Sequence, residues 1–138
     1  MELQGAKLLT LHVDLDEPRI VGSTPEGILT IIPIIGGVFE GPGLRGRVCA
    51  GGADWNTVSG THCRVCARYW LETDDGAVIS VLNEGRFPVD GGDAAITTTP
   101  QFTCDTQGKY AFLNTGTYAG QLSGGNGNSV SITVWQIA

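Results

Sequence analysis

The stretch CRVCARYWLETDDGAVISVLNEGRF, residues 63–87, decides how this chain is read. Two runs rich in β-branched and aromatic residues flank Asp75-Gly76, a dipeptide that favours the central positions of a tight hairpin turn. With those two residues as the loop, Asp74 faces Ala77, and counting outward sets Trp70 opposite Val81, Arg68 opposite Asn83 and Cys66 opposite Gly85. Side chains alternate between the faces of a strand. Arg64, Cys66, Arg68, Trp70 and Glu72 then share one face with Ile79, Val81 and Asn83, while Val65, Ala67, Tyr69 and Leu71 share the other with Val78, Ser80, Leu82 and Glu84. An arginine in mid-strand faces either water or a site. The company of Trp70, Ile79 and Val81 is too apolar for open water, so Arg68 is predicted to point into an enclosed space beside Asn83 and Trp70. The Tyr69 face is predicted to be an outer core or a candidate homo-oligomer contact.

Working outward, alternation and β-branched content predict strands at Lys7–Leu15, Gly27–Phe39, Gly46–Ala50, Cys63–Leu71, Ala77–Asn83, Thr97–Cys104, Lys109–Leu113 and Val130–Ile137. No segment between them has a helical period. The 21 glycines are paired or sit beside Pro, Asp and Asn, as in GGVFEGPGL, CAGGADWN, VDGGDA and LSGGNGNS, which is turn chemistry. Short strands at this spacing predict an all-β, antiparallel closed barrel of about eight or more strands, closure being the way such chains remove exposed edges. At 138 residues and 41% hydrophobic content, the chain has the size and composition of one domain, residues 1–138.

Eight basic against fourteen acidic residues give a net charge of −6, with no cluster of Lys or Arg along one segment. That excludes the electrostatic footprint of a nucleic-acid binder. No run reaches the roughly 18 apolar residues of a membrane helix, and MELQGAKLLTLHVDLDEP is not patterned as a secretory signal. A cytoplasmic protein with its four cysteines as free thiols is expected.

Three phrases, IIGGVFEGPGLRGRVCAGGADW, ARYWLETDDGAVISVLNEG and PQFTCDTQGKYAFLN, occur in the order of a known family's motifs. The chain resembles domain-of-unknown-function family 3237 from about Leu8 to Ile137. The resemblance implies a single-domain antiparallel β-barrel. The family as a whole supplies no reaction, but members encoded beside biosynthetic genes imply a small-molecule role in secondary metabolism. Cyclisation, isomerisation or elimination without a cofactor are the reactions this suggests. The family motif commonly has an acidic residue two before the strand arginine; here that position is Cys66, so no role for the acid carries over.

Among the residues themselves, Asp54 and Trp55 follow a glycine pair and are read as a loop at the barrel mouth. There Asp54 serves as a general base whose pKa is raised by burial against Trp55. The competing reading is a turn aspartate bonded to its own loop. Arg68 is read as the group that binds a carboxylate or stabilises a developing enolate; the competing reading is a structural ion pair with Glu40, Asp54 or Glu72. Trp55, Trp70, Asn83, Glu40, Tyr69 and Tyr110 complete the expected substrate-binding set. Cys63-x-x-Cys66 beside His62 does not read as a zinc site, because residues three apart in a strand face opposite ways. GGADW and GGNGNS lack the lysine and following helix of a phosphate loop, so no metal or nucleotide cofactor is expected. The expected function is a cofactor-independent cyclase, isomerase or lyase acting on a small molecule in the lumen. A non-catalytic binding or carrier barrel is the alternative, and an assembly role stands third.

Overall fold

The structure, a computed structural model, describes residues 2–91, 97–124 and 127–138. Ten strands run in chain order: β1 Gly5–Leu15, β2 Arg19–Thr24, β3 Gly27–Gly41, β4 Leu44–Val48, β5 Gly52–Ser59, β6 His62–Thr73, β7 Val78–Pro88, β8 Thr97–Thr103, β9 Tyr118–Ser123 and β10 Ser129–Ile137. They form an eight-stranded antiparallel barrel with two further strands. Every ladder is antiparallel, and pairing of β1 with both β10 and β3 closes the ring. Two positions in the wall are shared between broken strands. β3 pairs β1 along one half and β2 along the other, while β4 and β5 in turn fill the gap between β3 and β6. Among the described residues no helix is long and apolar enough to cross a membrane.

The all-β barrel predicted from turn chemistry is the observed fold. Three strands were not foreseen. β2 and β9 are short and carry Gly22 and Gly120, and β5 begins at Gly52, the second of the Gly51-Gly52 pair that reads as a loop. Gly51 does turn the chain, with φ at +123°, but the strand starts immediately after it. At Gly52 a side chain would fall 2.3 Å from the Arg68 carbonyl oxygen, so this glycine lets β5 close onto β6. The predicted strand at Lys109–Leu113 is instead a turn leading into a 3-10 helix, Ala111–Asn114. Side chains hold that segment off the ladder: the Cys104 backbone N–H donates to Asn114 Oδ1 at 2.8 Å, and Asn114 Nδ2 donates back to the Cys104 carbonyl at 3.0 Å.

The β6–β7 register also differs from the predicted one. Tyr69 pairs with Val81, Ala67 with Asn83, and Arg68 with Leu82. The loop holds three residues, Asp74, Asp75 and Gly76, closed by Gly76 N–H to Thr73 O at 2.9 Å and by Thr73 N–H to Ala77 O at 2.9 Å. Thr73 makes this longer loop favourable. Its hydroxyl accepts the Ala77 N–H at 2.8 Å and donates to the Asp75 carboxylate, while Gly76 adopts the positive φ, +92°, that a three-residue hairpin loop needs. Slipping a strand by one residue sends every side chain through the sheet. The inward face of β6 is therefore Cys63, Val65, Ala67, Tyr69, Leu71 and Thr73.

The core fills the barrel from Leu9, Leu11, Phe39, Leu71, Ile79, Val81 and Val134. One end is shut. There Phe102 and Tyr118 meet edge to face with centroids 5.1 Å apart, Leu113 is buried, and the Tyr110 hydroxyl donates to Asp75 Oδ1 at 2.9 Å. The opposite end is ringed by the turns β2–β3 and β5–β6, the end of β7 and the start of β8. Residues 92–96, part of the VDGGDA turn, and residues 125–126, part of LSGGNGNS, lie outside the described residues.

Candidate active site

Among the described residues, four polar side chains line one cavity of the apolar lumen: Asp54 from β5, Tyr69 from β6, Asn83 from β7 and Thr98 from β8. Each is there by strand alternation. On β5, Asp54 turns inward and Trp55 outward, and on β6 Tyr69 turns inward between Arg68 and Trp70. On β8 the buried positions alternate as Thr98, Pro100 and Phe102. The four line a cavity of about 70 Å³ whose remaining walls are aliphatic, including Val13, Ile32, Ile34, Val65, Leu122 and Ile132. That space holds several water-sized groups. It is well short of the roughly 300 Å³ that would enclose a drug-sized molecule.

The electrostatics follow from burial. Asp54 Oδ1 accepts the Cys66 backbone N–H at 3.0 Å, which favours the carboxylate, but loss of water dominates and its pKa is pushed up from 3.8 to about 6. Burial also pushes the Tyr69 phenol up, and the nearby Asp54 charge adds to that push. The Tyr69 hydroxyl and Asn83 Oδ1 are both buried and lack a hydrogen-bond partner, in residues only 3% and 5% exposed. Buried polar groups left unpaired cost about 1–3 kcal/mol each. Two of them opening on one cavity beside an aspartate form an arrangement that packing alone does not call for. Thr98, by contrast, is satisfied through its bond to the Gly120 carbonyl at 3.4 Å.

The predicted site residues therefore separate into three groups. Asp54, Tyr69 and Asn83 come together in the lumen. Asp54 stands on a strand inside the wall, not on a flexible mouth loop, so it is held by the β3 and β6 ladders on either side. Arg68, Trp70 and Trp55 lie on the outer wall, with Trp70 39% and Trp55 44% exposed, which corrects the expected lumen position of Arg68 and Trp70. The one-residue difference in the hairpin loop is the reason. The carboxylate expected to lean on Trp55 is buried instead among aliphatic side chains. Glu40 and Tyr110 belong to the shut end, where Glu40 is exposed and Tyr110 is bonded to Asp75. Thr98 was not foreseen, although the alternation of Thr98, Pro100 and Phe102 on a predicted strand was there to be read.

The family profile that matches the chain, over residues 5–137, is that of proteins of unknown function, DUF3237. The chain belongs to that family. A UPF0311 protein of Rhodopseudomonas palustris is 36% identical over 91 residues, a segment that spans 64% of this chain and 60% of that protein. Among solved structures, a β-barrel-like protein of Acinetobacter baumannii superposes with a TM-score of 0.87 at 30% identity, covering 100% of this chain and 98% of the other. An enzyme from Penicillium herquei superposes with a TM-score of 0.82 at 24% identity over 100% of this chain and 96% of that one, a likeness of fold.

Proposed function

We propose that this DUF3237 barrel is a cofactor-independent enzyme that moves a proton on a small molecule whose reacting end enters the lumen. The observation that carries the reading is Asp54: a carboxylate whose pKa is pushed up to about 6, beside two buried polar groups with no partner of their own. Near neutral pH such a group is mostly ionised yet more basic than an ordinary aspartate, which suits a general base. It would take a proton from a carbon next to a carbonyl, or from a hydroxyl. The Tyr69 O–H would donate to the oxygen on which negative charge develops, and the Asn83 amide would orient the same group. Because the surrounding walls are aliphatic, such a hydrogen bond is stronger than its counterpart in solution. Returning the proton to another atom of the substrate completes an isomerisation or a cyclisation; handing it to a leaving group completes an elimination. Each balances without an electron carrier. The small cavity favours a substrate that inserts one functional group and leaves its bulk at the mouth. That the same fold houses an enzyme in Penicillium herquei agrees with catalysis.

The test is exchange of the acidic C–H protons of small enolisable ketones and β-dicarbonyl compounds in D2O, followed by proton NMR. The wild type should accelerate exchange, Asp54→Asn should abolish it, and Arg68→Leu should retain it. Saturable binding without any accelerated exchange or product would favour the carrier reading instead.

A further inference from the structure

A second recess lies outside the barrel, on the outward faces of β3, β5, β6 and β7 near the β5–β6 turn. Its volume is about 640 Å³, within the range that holds a drug-sized molecule. Leu29 and the 44%-exposed Trp55 are its apolar lining, Thr57 adds a hydroxyl, and Arg64 and Arg86 supply positive charge. Arg64 and Arg86 are direct cross-strand partners, a pairing in which like charges repel. Only eight residues of this chain are basic and its net charge is −6, so two arginines placed face to face are not the residue of a generally basic surface.

A structural role accounts for one of them. Arg64 Nη2 meets Glu84 Oε2 at 3.3 Å, whereas no carboxylate of the described residues forms an ion pair with Arg86. Nor, among the described residues, does another ring or a cation stack on Trp55. The recess also contains Glu26, and its carboxylate lies 3.5 Å from the Thr24 hydroxyl. With Glu84 paired to Arg64, the Arg86 charge and the Trp55 face remain available together.

We infer that this outer recess binds an organic carboxylate with a flat apolar body, its carboxylate on Arg86 and its ring against Trp55. A guanidinium presents donors that match a carboxylate in two-point geometry, and such an anion would compensate the Arg86 charge as Glu84 compensates that of Arg64. The apolar lining would hold the body by area, while an uncharged analogue would forgo the charged hydrogen bonds. This site is separate from the lumen: Trp55 and Asp54 are neighbours on β5 but point to opposite faces of its wall.

The probe is 2-naphthoate, titrated into the 15N-labelled full chain while the Trp55 indole N–H and the Arg64 and Arg86 side-chain N–H signals are followed, with 2-naphthamide as the neutral counterpart. Naphthoate should shift these signals saturably, and its affinity should fall as salt is raised. Naphthamide should bind about tenfold more weakly, and Arg86→Gln should cost naphthoate a similar factor while the rest of the spectrum stays native. Equal affinity for acid and amide would overturn the inference, as would unchanged binding by Arg86→Gln or shifts confined to Tyr69 and Asn83. Sedimentation showing that a second copy of the chain covers Trp55 at the working concentration would overturn it too.

Discussion

Arg68 and Tyr69 are consecutive residues of β6, yet one stands in solvent and the other is 3% exposed in the lumen. The outer wall around Arg68 carries Trp70, Glu72 and Arg64, which read from sequence as a site because aromatic and charged groups are mixed there. The inner wall around Tyr69 reads as ordinary core, yet it holds the unpaired hydroxyl and lies along the cavity shared with Asp54. The difference teaches that residue type alone does not reveal a buried site. What distinguishes the inner wall is the scarcity of partners for the few polar atoms it contains. On the outer wall water and neighbouring side chains satisfy charge, as where Arg47 meets Glu72 at 3.3 Å.

The comparison breaks first if the inner wall tolerates truncation. Leu71 is fully buried, so Leu71→Ala should destabilise the protein by about 2–5 kcal/mol in urea unfolding, the usual cost of emptying a packed leucine site. A loss below that range would place Leu71 outside the core.

Asp54→Asn sharpens the comparison through pH. The folded-state pKa, about 6, lies above the ordinary 3.8, so folding favours the acid form of Asp54 and disfavours its carboxylate. The aspartate's stabilising contribution is complete below about pH 4 and is lost as pH rises through about 6. The variant should therefore match the wild type in stability below about pH 4 and exceed it by up to about 3 kcal/mol at pH 8. Denaturant midpoints across that range check the sign; a variant less stable than wild type at pH 8 would show the carboxylate to be favoured in the fold. In the exchange assay, wild-type activity should rise with pH through about 6, as a base is exposed by ionisation.

Tyr69→Phe removes a buried hydroxyl that has no partner and should raise stability by up to about 1 kcal/mol, since the hydroxyl's desolvation is uncompensated. The same change should slow proton exchange if the hydroxyl donates to the developing oxyanion. A destabilised variant would mean that the hydroxyl is bonded in solution. The smallest effect belongs to the outer wall: Arg68→Leu should shift stability by no more than about 0.5 kcal/mol and leave exchange intact. Loss of exchange in that variant would restore Arg68 to the site and undo the contrast between the two faces.

Much of the barrel was legible in the chain because its signals are local. Alternation in β1, β3, β6, β7, β8 and β10 and glycine-marked turns lie within a few residues of one another, and all these strands overlap their predicted spans. The strands that were missed, β2, β5 and β9, each contain glycine, a residue that reads as a turn in sequence, and they are strands because neighbouring strands offer them partners. β5 shows this most clearly, having β3 on one side and β6 on the other. Within the site, Asp54, Tyr69 and Asn83 were all named from sequence, but the predicted register set Tyr69 and Asn83 on opposite faces of the hairpin, whereas they share the lumen.

What the sequence determined by itself was the class of fold and an inventory of groups able to do chemistry. Periodicity, turn residues and the shortage of charge are properties of neighbouring residues, and they hold whatever the rest of the chain does. Which face each group takes was decided by tertiary structure. Thr73, bonded to Ala77 and Asp75, and Gly76 with its positive φ shape a three-residue β6–β7 loop, and in that register the Tyr69 face of β6 joins Ile79, Val81 and Asn83 while Arg68 turns out. Closure of the ring then brings β5, β6, β7 and β8 around one cavity, where loss of water lifts the Asp54 pKa. Burial is a property of the whole wall, so the chemistry it creates has no local signature in the chain.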